Sequence, residues 1–396
     1  MNLRWPLFSL LTITALASLC AGLALPVTYP MPGYFADIVA WSTSGHISDT
    51  FTPLGYPLFL APAFRIAGLH GIIVLQATLQ VAIALISFFL LRELSLSPRW
   101  SAFGSLPVAL HPDLLLSVVK IWDYSLSTFL FLLLIFLCLR LRHQRPWSLP
   151  WFIPIIGAVF AVAVFCRPNY LLLLPLILVT LFNRRPRLTL PTATLSSATC
   201  IAIASITFAL LGAASHGSAF FPRNGPYNLY AGHNPFSLQS LLTNLNAEPS
   251  LTSAYLESHP SDPHSDLYAP ALGTYYLRQS LLFARQNPGS EIELLGVKLL
   301  TLLRPDTKVH PLPSAAGILE ALLALPILLL LAGLLAPGHA PLQIEDRLLL
   351  WAEAIYILPF LLTNADPRFR MPLDALLILH FVRMMHRRFL SNSAAL

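Results

Sequence analysis

Residues 120–145 read KIWDYSLSTFLFLLLIFLCLRLRHQR. From Tyr124 to Leu141 the run is apolar apart from Ser125, Ser127, Thr128 and Arg140. Such a run comes close to the roughly 20 residues that carry a helix across a hydrocarbon core. Arg140, Arg142 and Arg145 close one end, and Lys120 and Asp123 lie before the other. Arginines gathered at one border orient a membrane helix, because cytoplasmic segments collect Lys and Arg.

Outward from this stretch, apolar runs recur at 5–25, 71–91, 100–118, 149–166, 170–183, 190–212, 315–336, 347–363 and 373–390. The expectation is an all-α integral membrane protein with about ten transmembrane helices. Counted from a cytoplasmic start, the inside segments hold Arg4, then Arg92 and Arg99, then Arg140, Arg142 and Arg145. They continue with Arg184, Arg185 and Arg187, then Arg347, then Arg383, Arg387 and Arg388. Every inside segment carries arginine, which puts both termini in the cytoplasm and the chain in the cell (inner or plasma) membrane. No ten-residue segments alternate with period two, so a β-barrel is not expected. The run 5–25 has the small-residue end of a signal peptide, but it is longer than a signal core and reads as a retained first helix.

Composition agrees. The 396 residues are 56% hydrophobic and 11% charged, with mean hydropathy +0.68. Soluble domains carry roughly 25% charged residues, and a disordered chain is more polar still. The net charge of +6 resides largely in cations that flank apolar runs, so nucleic acid is not an expected partner. Cys20, Cys138, Cys166 and Cys200 lie in or beside apolar runs without a CxxC or Cys/His pattern, and read as small buried hydrophobes.

The chain reads as one polytopic domain, 1–396, with two long outside segments. The first covers 26–57; the other, 213–312, is rich in Asn, Tyr, His, Pro and Ser, with amphipathic helices expected near 271–287 and 290–303. Long loops in a compact fold usually carry function. Ionisable groups gather toward this same side. Asp37 and Asp49 lie in the first loop, and Arg65, Lys120, Asp123, Arg167, Arg368 and Arg370 border outside helix ends or short outside turns. Cations there run against the topology bias and suggest an anion site, with phosphate the natural ligand for arginine. Plainer readings stand beside this one. Lys120 and Asp123 are spaced to pair with each other, Arg167 can snorkel to a headgroup, and Asp366, Arg368, Arg370 and Asp374 can form a local ion-pair network. Glu353 lies inside a span as an interhelical contact or part of a cavity. Asp37 has the position to accept a proton from an acceptor hydroxyl, and Trp41, four residues on, would share its face on a helix. No ligand spacing points to a metal; no cofactor is expected, and divalent-metal assistance stays open.

Several stretches together resemble a known family. The first span, the loop with Asp37, and Pro53-Leu54-Gly55-Tyr56-Pro57 resemble the GT-C membrane glycosyltransferases. Within these, the similarity is to the dolichyl-phosphate-mannose–protein mannosyltransferase and aminoarabinose transferase-like group, glycosyltransferase family 39-like. Cys166-Arg167-Pro168-Asn169-Tyr170 resembles that group's RPN helix start, and Tyr227 to Pro235 (YNLYAGHNP) its NLY-x-GNNP loop. Arg285 to Gly289 (RQNPG) is similar to its ENPG stretch, and Asp366 to Asp374 (DPRFRMPLD) to its RYRLP-x-D signature. The chain departs from the pattern at Trp41, where a tyrosine follows the acid more closely, at His233 in place of an asparagine, and at Asp123 in place of a glutamate.

The resemblance implies inverting transfer of a hexose or pentose from a polyprenyl-phosphate donor to a hydroxyl on the extracytoplasmic face. The acceptor, whether glycan, lipid or protein, is not specified. Asp37 would be the general base. Lys120, Arg167, Arg368 and Arg370 would hold the donor phosphate, and Trp41, Tyr56, Asp123, Tyr227, Asn228, Tyr230 and Asn234 would line the substrate site. Two other classes compete. A transporter or lipid-linked-sugar flippase would show inverted repeats and midplane charges, whereas the ionisable groups here read as gathered at one face. A noncatalytic component of an envelope glycan complex is the third reading.

Overall fold

The computed structural model describes residues 4–28, 32–47, 51–143, 149–182, 189–214, 222–244, 248–258, 272–303, 314, 315, 318, 322 and 342–395. Among these the chain is helical, with one isolated bridge pairing Thr28 and Lys120. In order the helices are α1 (Arg4–Ala24), α2 (Pro32–Ser44), α3 (Gly55–Glu93), α4 (Pro98–Ala109), α5 (Pro112–Leu116), α6 (Tyr124–His143), α7 (Leu149–Cys166), α8 (Leu174–Phe182) and α9 (Leu190–Ala214). They continue as α10 (Asn224–Gly232), α11 (Ser237–Asn244), α12 (Glu248–Ser258), α13 (Leu272–Gln286), α14 (Pro288–Leu303), α15 (Ile344–Leu362) and α16 (Met371–Ala395).

Among the described residues four helices are long and apolar enough to cross a membrane: Arg4–Ala24, Gly55–Glu93, Tyr124–Arg142 and Leu190–Ala213. Two of them turn most of their apolar surface outward. Only 17% of the most apolar window of α1 and 22% of that of α9 is buried, and Trp5, Phe8, Leu195 and Leu210 stand exposed. Meanwhile Gln76, Gln80, Ser101, Ser105, Ser117 and Ser127 are buried between helices. A continuous apolar exterior of this kind needs a non-aqueous partner.

The other expected spans differ in form. The run 100–118 is divided at Leu110 and His111, because Pro112 restricts the residue before it and α5 must start anew. Pro168 likewise ends α7, and 170–183 begins as a 3-10 turn, Pro168–Leu173, before the nine residues of α8. As described, that pair is shorter than the four long apolar helices. Helix α15 carries Glu345, Asp346, Arg347 and Glu353, and these charges keep it outside the apolar class. Most of the run 315–336 lies outside the described residues.

The first loop is more ordered than its prolines and glycines suggested. Helix α2 opens with Pro32 at its first position, where a missing N–H costs nothing. Tyr34, Asp37, Ile38 and Ser42 are its buried positions, a helical spacing that seats one face on α3. At its end Ser42, Thr43 and Ser44 turn their hydroxyls back to the carbonyls of Val39 and Ala40, competing with the next helical bonds. The PLGYP stretch turns into a helix at its glycine. Helix α3 starts at Gly55 and departs from helical backbone at Ala67 and Gly68 before the long apolar run.

Polar contacts fall into two belts that α6 separates by about 30 Å, the rise of its 20 residues. One belt is built on arginines. Arg140 pairs with Glu93 at 3.0 Å and Arg142 with Glu345 at 2.8 Å. Arg383 binds Asp346 and donates to Leu94 O at 2.9 Å and Gln343 Oε1 at 2.7 Å, while Arg387 also reaches Asp346. These contacts join segments that the arginine pattern assigns to one side. Between the belts, Glu353 and His380 pair at 2.9 Å with both side chains buried. The expectation that ionisable groups keep to one face is corrected here: charges on α15 and α16 meet partners along the whole helix pair.

Candidate functional site

The second belt gathers the short turns around Arg167. As the residue before Pro168, Arg167 takes extended backbone (φ −150°, ψ 100°) and closes α7. Gly55 lies directly against this turn. A Cβ there would come within 2.5 Å of Cys166 Sγ and 2.7 Å of its backbone, so only glycine lets the start of α3 approach.

The Arg167 guanidinium is held on three sides. Its Nε donates to Asp123 Oδ2 at 3.0 Å and its Nη2 to Asp123 Oδ1 at 3.2 Å, a bidentate grip. Nη1 donates to the Tyr356 hydroxyl at 3.0 Å, and the Tyr124 ring lies 5.7 Å below the guanidinium carbon. Burial opposes the charge, but Asp123 and the tyrosine oxygens outweigh it and hold the arginine firmly protonated. Three of its five N–H groups are thus engaged. Tyr356 passes the connection on, donating to Phe369 O at 2.8 Å in the turn Pro367–Arg370. In that turn Arg370 donates to Asp374 at 2.8 Å and to Leu302 O at 3.3 Å. His111 stands 4.0 Å from Asp374, and His111 Nδ1 and Asp374 Oδ1 are buried without a hydrogen-bond partner among the described residues.

Asp37 joins this belt through α2. It is 6% exposed and accepts from Thr52 Oγ1 at 3.1 Å. One turn earlier, Tyr34 packs edge-on against Tyr56 with centroids 5.3 Å apart. Burial first, then the nearby Asp123 carboxylate, push the Tyr34 phenol well above its ordinary pKa, while Arg167 acts the other way. One turn later, Trp41 Nε1 is buried and has no hydrogen-bond partner among the described residues. Lys120 sits beside Thr28, whose N–H donates to Val119 O at 3.0 Å and whose carbonyl accepts from Ile121 N at 3.0 Å.

The large segment meets the same end. Phe51, just before Thr52, contacts the Tyr227 ring at 5.5 Å and accepts from Asn224 N at 3.2 Å. Tyr227, Tyr230, Tyr255, Tyr275 and Tyr276 form an aromatic cluster, with Tyr230 stacked on Tyr276 at 5.2 Å. Helices α13 and α14 occupy 272–286 and 288–303.

Not every expected site residue faces a place where a ligand can sit. Tyr56 is fully buried and its hydroxyl donates to Gln76 Oε1 at 2.9 Å. Asn234, 1% exposed, donates to Tyr230 O and Ser250 Oγ, both at 2.7 Å, and accepts from Phe236 N at 2.8 Å, which makes it a turn-forming residue. Asn228 is half-buried on α10. The side chain of Arg368, and Asp49, lie outside the described residues. Two participants carried no sequence signal, Thr52 and Tyr356; Tyr356 sits in an apolar run.

Comparison with protein-family models, with curated proteins and with solved structures finds no match at the threshold of significance.

Proposed function

We propose that the chain is a multi-pass membrane glycosyltransferase of GT-C type that uses a polyprenyl-phosphate sugar at its extracytoplasmic face. The observation that carries the reading is Asp37: a buried carboxylate with a hydroxyl donor, on a helix laid against the Arg167 belt. In this mechanism Asp37 takes the proton of an acceptor hydroxyl as its oxygen attacks the anomeric carbon. The bond from that carbon to the phosphate oxygen breaks, the configuration inverts, and polyprenyl phosphate leaves with the electron pair. Charge builds on the phosphate, where Lys120, Arg368, Arg370 and the uncommitted N–H groups of Arg167 would stabilise it. Because Asp123 and Asp374 already neutralise the last two arginines, their contribution is directional donation more than net charge. Trp41, Tyr227, Asn228 and Tyr230 would then border the sugar and acceptor.

Topology supports the same reading, since the arginine-built belt is the end expected in the cytoplasm. The test is transfer from a radiolabelled polyprenyl-phosphate sugar in proteoliposomes by wild type and Asp37→Asn. Loss of a general base costs roughly 100- to 10,000-fold; equal rates would remove Asp37 from the mechanism. The buried Glu353–His380 pair favours a second reading, transport, because ionisable groups inside a bundle commonly mark ion pathways. Counterflow of a labelled solute without a covalent product would select it.

A further inference from the structure

In α14 the two sides of an amphipathic helix are exchanged. Glu291, Leu294, Lys298, Thr301 and Leu302 share its inward face, at the three- and four-residue spacing of one helical side. The polar members of that face meet partners inside the protein. Lys298 is buried, with its amine 3.3 Å from Leu361 O at the end of α15 and 3.2 Å from His233 Nε2. His233, just past α10, presents Nδ1 to Glu291 at 2.7 Å and Nε2 to Leu362 O at 2.9 Å. One turn further along α14, Leu302 O accepts from Arg370 at 3.3 Å. Gly232 lets the end of α10 come this close: a Cβ there would sit 1.9 Å from Thr363 O and 3.1 Å from Lys298 Nζ. The opposite face of α14 carries Ile292, Leu295, Leu299 and Leu300, all exposed, Ile292 by 75% and Leu300 by 65%. A surface helix in water shows the reverse pattern, with apolar side chains toward the core and charges outward.

Three features identify what covers this outward face. From Leu294 to Leu303 every exposed residue of α14 is leucine or glycine, and the one exposed charge, Glu293, lies before them. The apolar surface continues onto α15, where Leu358 and Leu362 are exposed beside the carbonyl that Lys298 reaches, with Trp351 further back on the same side. The preceding helix α13 mixes exposed Leu277, Leu281 and Leu282 with exposed Arg278 and Arg285. Leucines interleaved with arginines suit a surface where hydrocarbon lies under phosphate headgroups. We propose that α14 lies at the boundary of headgroups and acyl chains, in the leaflet next to the Arg167 belt. Ile292, Leu295, Leu299 and Leu300 then rest against acyl chains, and Arg278 and Arg285 meet the phosphates. Glu293 marks the shallow end of the helix. Toward Leu302, α14 passes from the end of α15 to the Pro367–Arg370 turn, whose Phe369 O accepts from Tyr356, more than one turn back along α15. Depth in the lipid therefore increases from Ile292 to Leu299. The last described helix of the 213–312 segment belongs to the membrane surface, and it holds α10 and α13 at that level. This inference goes beyond sugar transfer and does not use it, since a lipid-facing α14 serves a transferase and a transporter equally.

Nitroxide labelling tests this in the full-length protein, in vesicles of phosphatidylcholine and phosphatidylglycerol. Cys20 is exposed and Cys138, Cys166 and Cys200 are buried, so Cys20→Ala gives the background for single labels. Labels go at Ile292→Cys, Leu295→Cys and Leu299→Cys, each replacing an exposed side chain that the fold does not pack. Leu210→Cys on the exposed side of α9 is the acyl-chain reference, and Thr252→Cys on the exposed side of α12 the aqueous one. Power-saturation spectra are recorded with dissolved oxygen, which concentrates in acyl chains, and with a nickel chelate, which stays in water. The expected oxygen-to-nickel ratios at Leu295 and Leu299 are several-fold above Thr252 and close to Leu210, with Ile292 between. Nickel access at Leu295 and Leu299 equal to that at Thr252 puts the face in water and overturns the proposal. Shielding from both reagents overturns it as well. Spectral broadening that dilution with unlabelled protein removes would then identify a second copy on the face, and its absence another part of the same chain. No sugar donor enters the measurement, so its outcome and that of the transfer assay are independent.

Discussion

Replacing Asp123 with Asn keeps the shape of the side chain and removes the charge that holds Arg167. The guanidinium would then be 7% exposed, with Tyr356 as its remaining neutral partner and an amide oxygen in place of two carboxylate bonds. Breaking a buried ion pair by removing one partner costs about 3–5 kcal/mol. The retained amide contact sets the expectation at the lower end, about 3 kcal/mol. For a chain of this size each kcal/mol corresponds to roughly 2 °C, so the melting temperature in detergent should fall by about 6 °C. Arg167→Met should cost a similar amount, because it strands Asp123. The decisive measurement is the double variant. With both charges gone no stranded group remains, so the pair should recover about 2 kcal/mol relative to the sum of the singles. A single variant that melts within about 1 °C of wild type, or strictly additive losses, would refute the claim that this pair organises the belt.

Three further outcomes follow from other contacts. Asp346→Asn leaves both Arg383 and Arg387 short of their carboxylate, and should lower stability by about 3 kcal/mol or more in thermal unfolding. Asp37→Asn should slow transfer by roughly 100- to 10,000-fold while shifting the melting temperature by no more than about 2 °C, since Thr52 can still hydrogen-bond to the amide. Burial lowers the Lys298 amine to about 8, so its contribution to stability is complete above 10.5 and lost as pH falls to about 8; protease resistance of α10 to α14 should rise across that window and stay level in Lys298→Met.

The sequence was informative wherever physics acts along the chain. Apolar run length and flanking arginines located α1, α6 and α9, because helix length and charge sidedness are local properties. Arg167 could be singled out as a cation at an unexpected border, and Pro168 already implied a helix end. What sequence could not express was pairing. Lys120 and Asp123 are spaced for a mutual bond, yet Asp123 is taken by Arg167 from another turn. Tyr56 and Asn234 looked like ligand residues because they sit in motif-like stretches, but their polar atoms are satisfied within the protein. His233 read as a loop residue; its meaning depends on Glu291 and Lys298, which lie 58 and 65 positions downstream. Such contacts are decided by three-dimensional approach and leave no periodicity behind.

The arginine belt bears on how the protein is made. Arg142 waits for Glu345, 203 positions later, and Leu94 O is capped by Arg383, 289 positions later. During synthesis the early helices must therefore persist with these groups facing water or headgroups, and the bundle closes only when its last helix arrives. A chain cut short before Arg383 would leave Leu94 O without its guanidinium donor and Asp346 without its arginines. Arrival of the segment that carries Arg383 and Arg387, not the emergence of any early helix, then sets the moment at which this belt becomes complete.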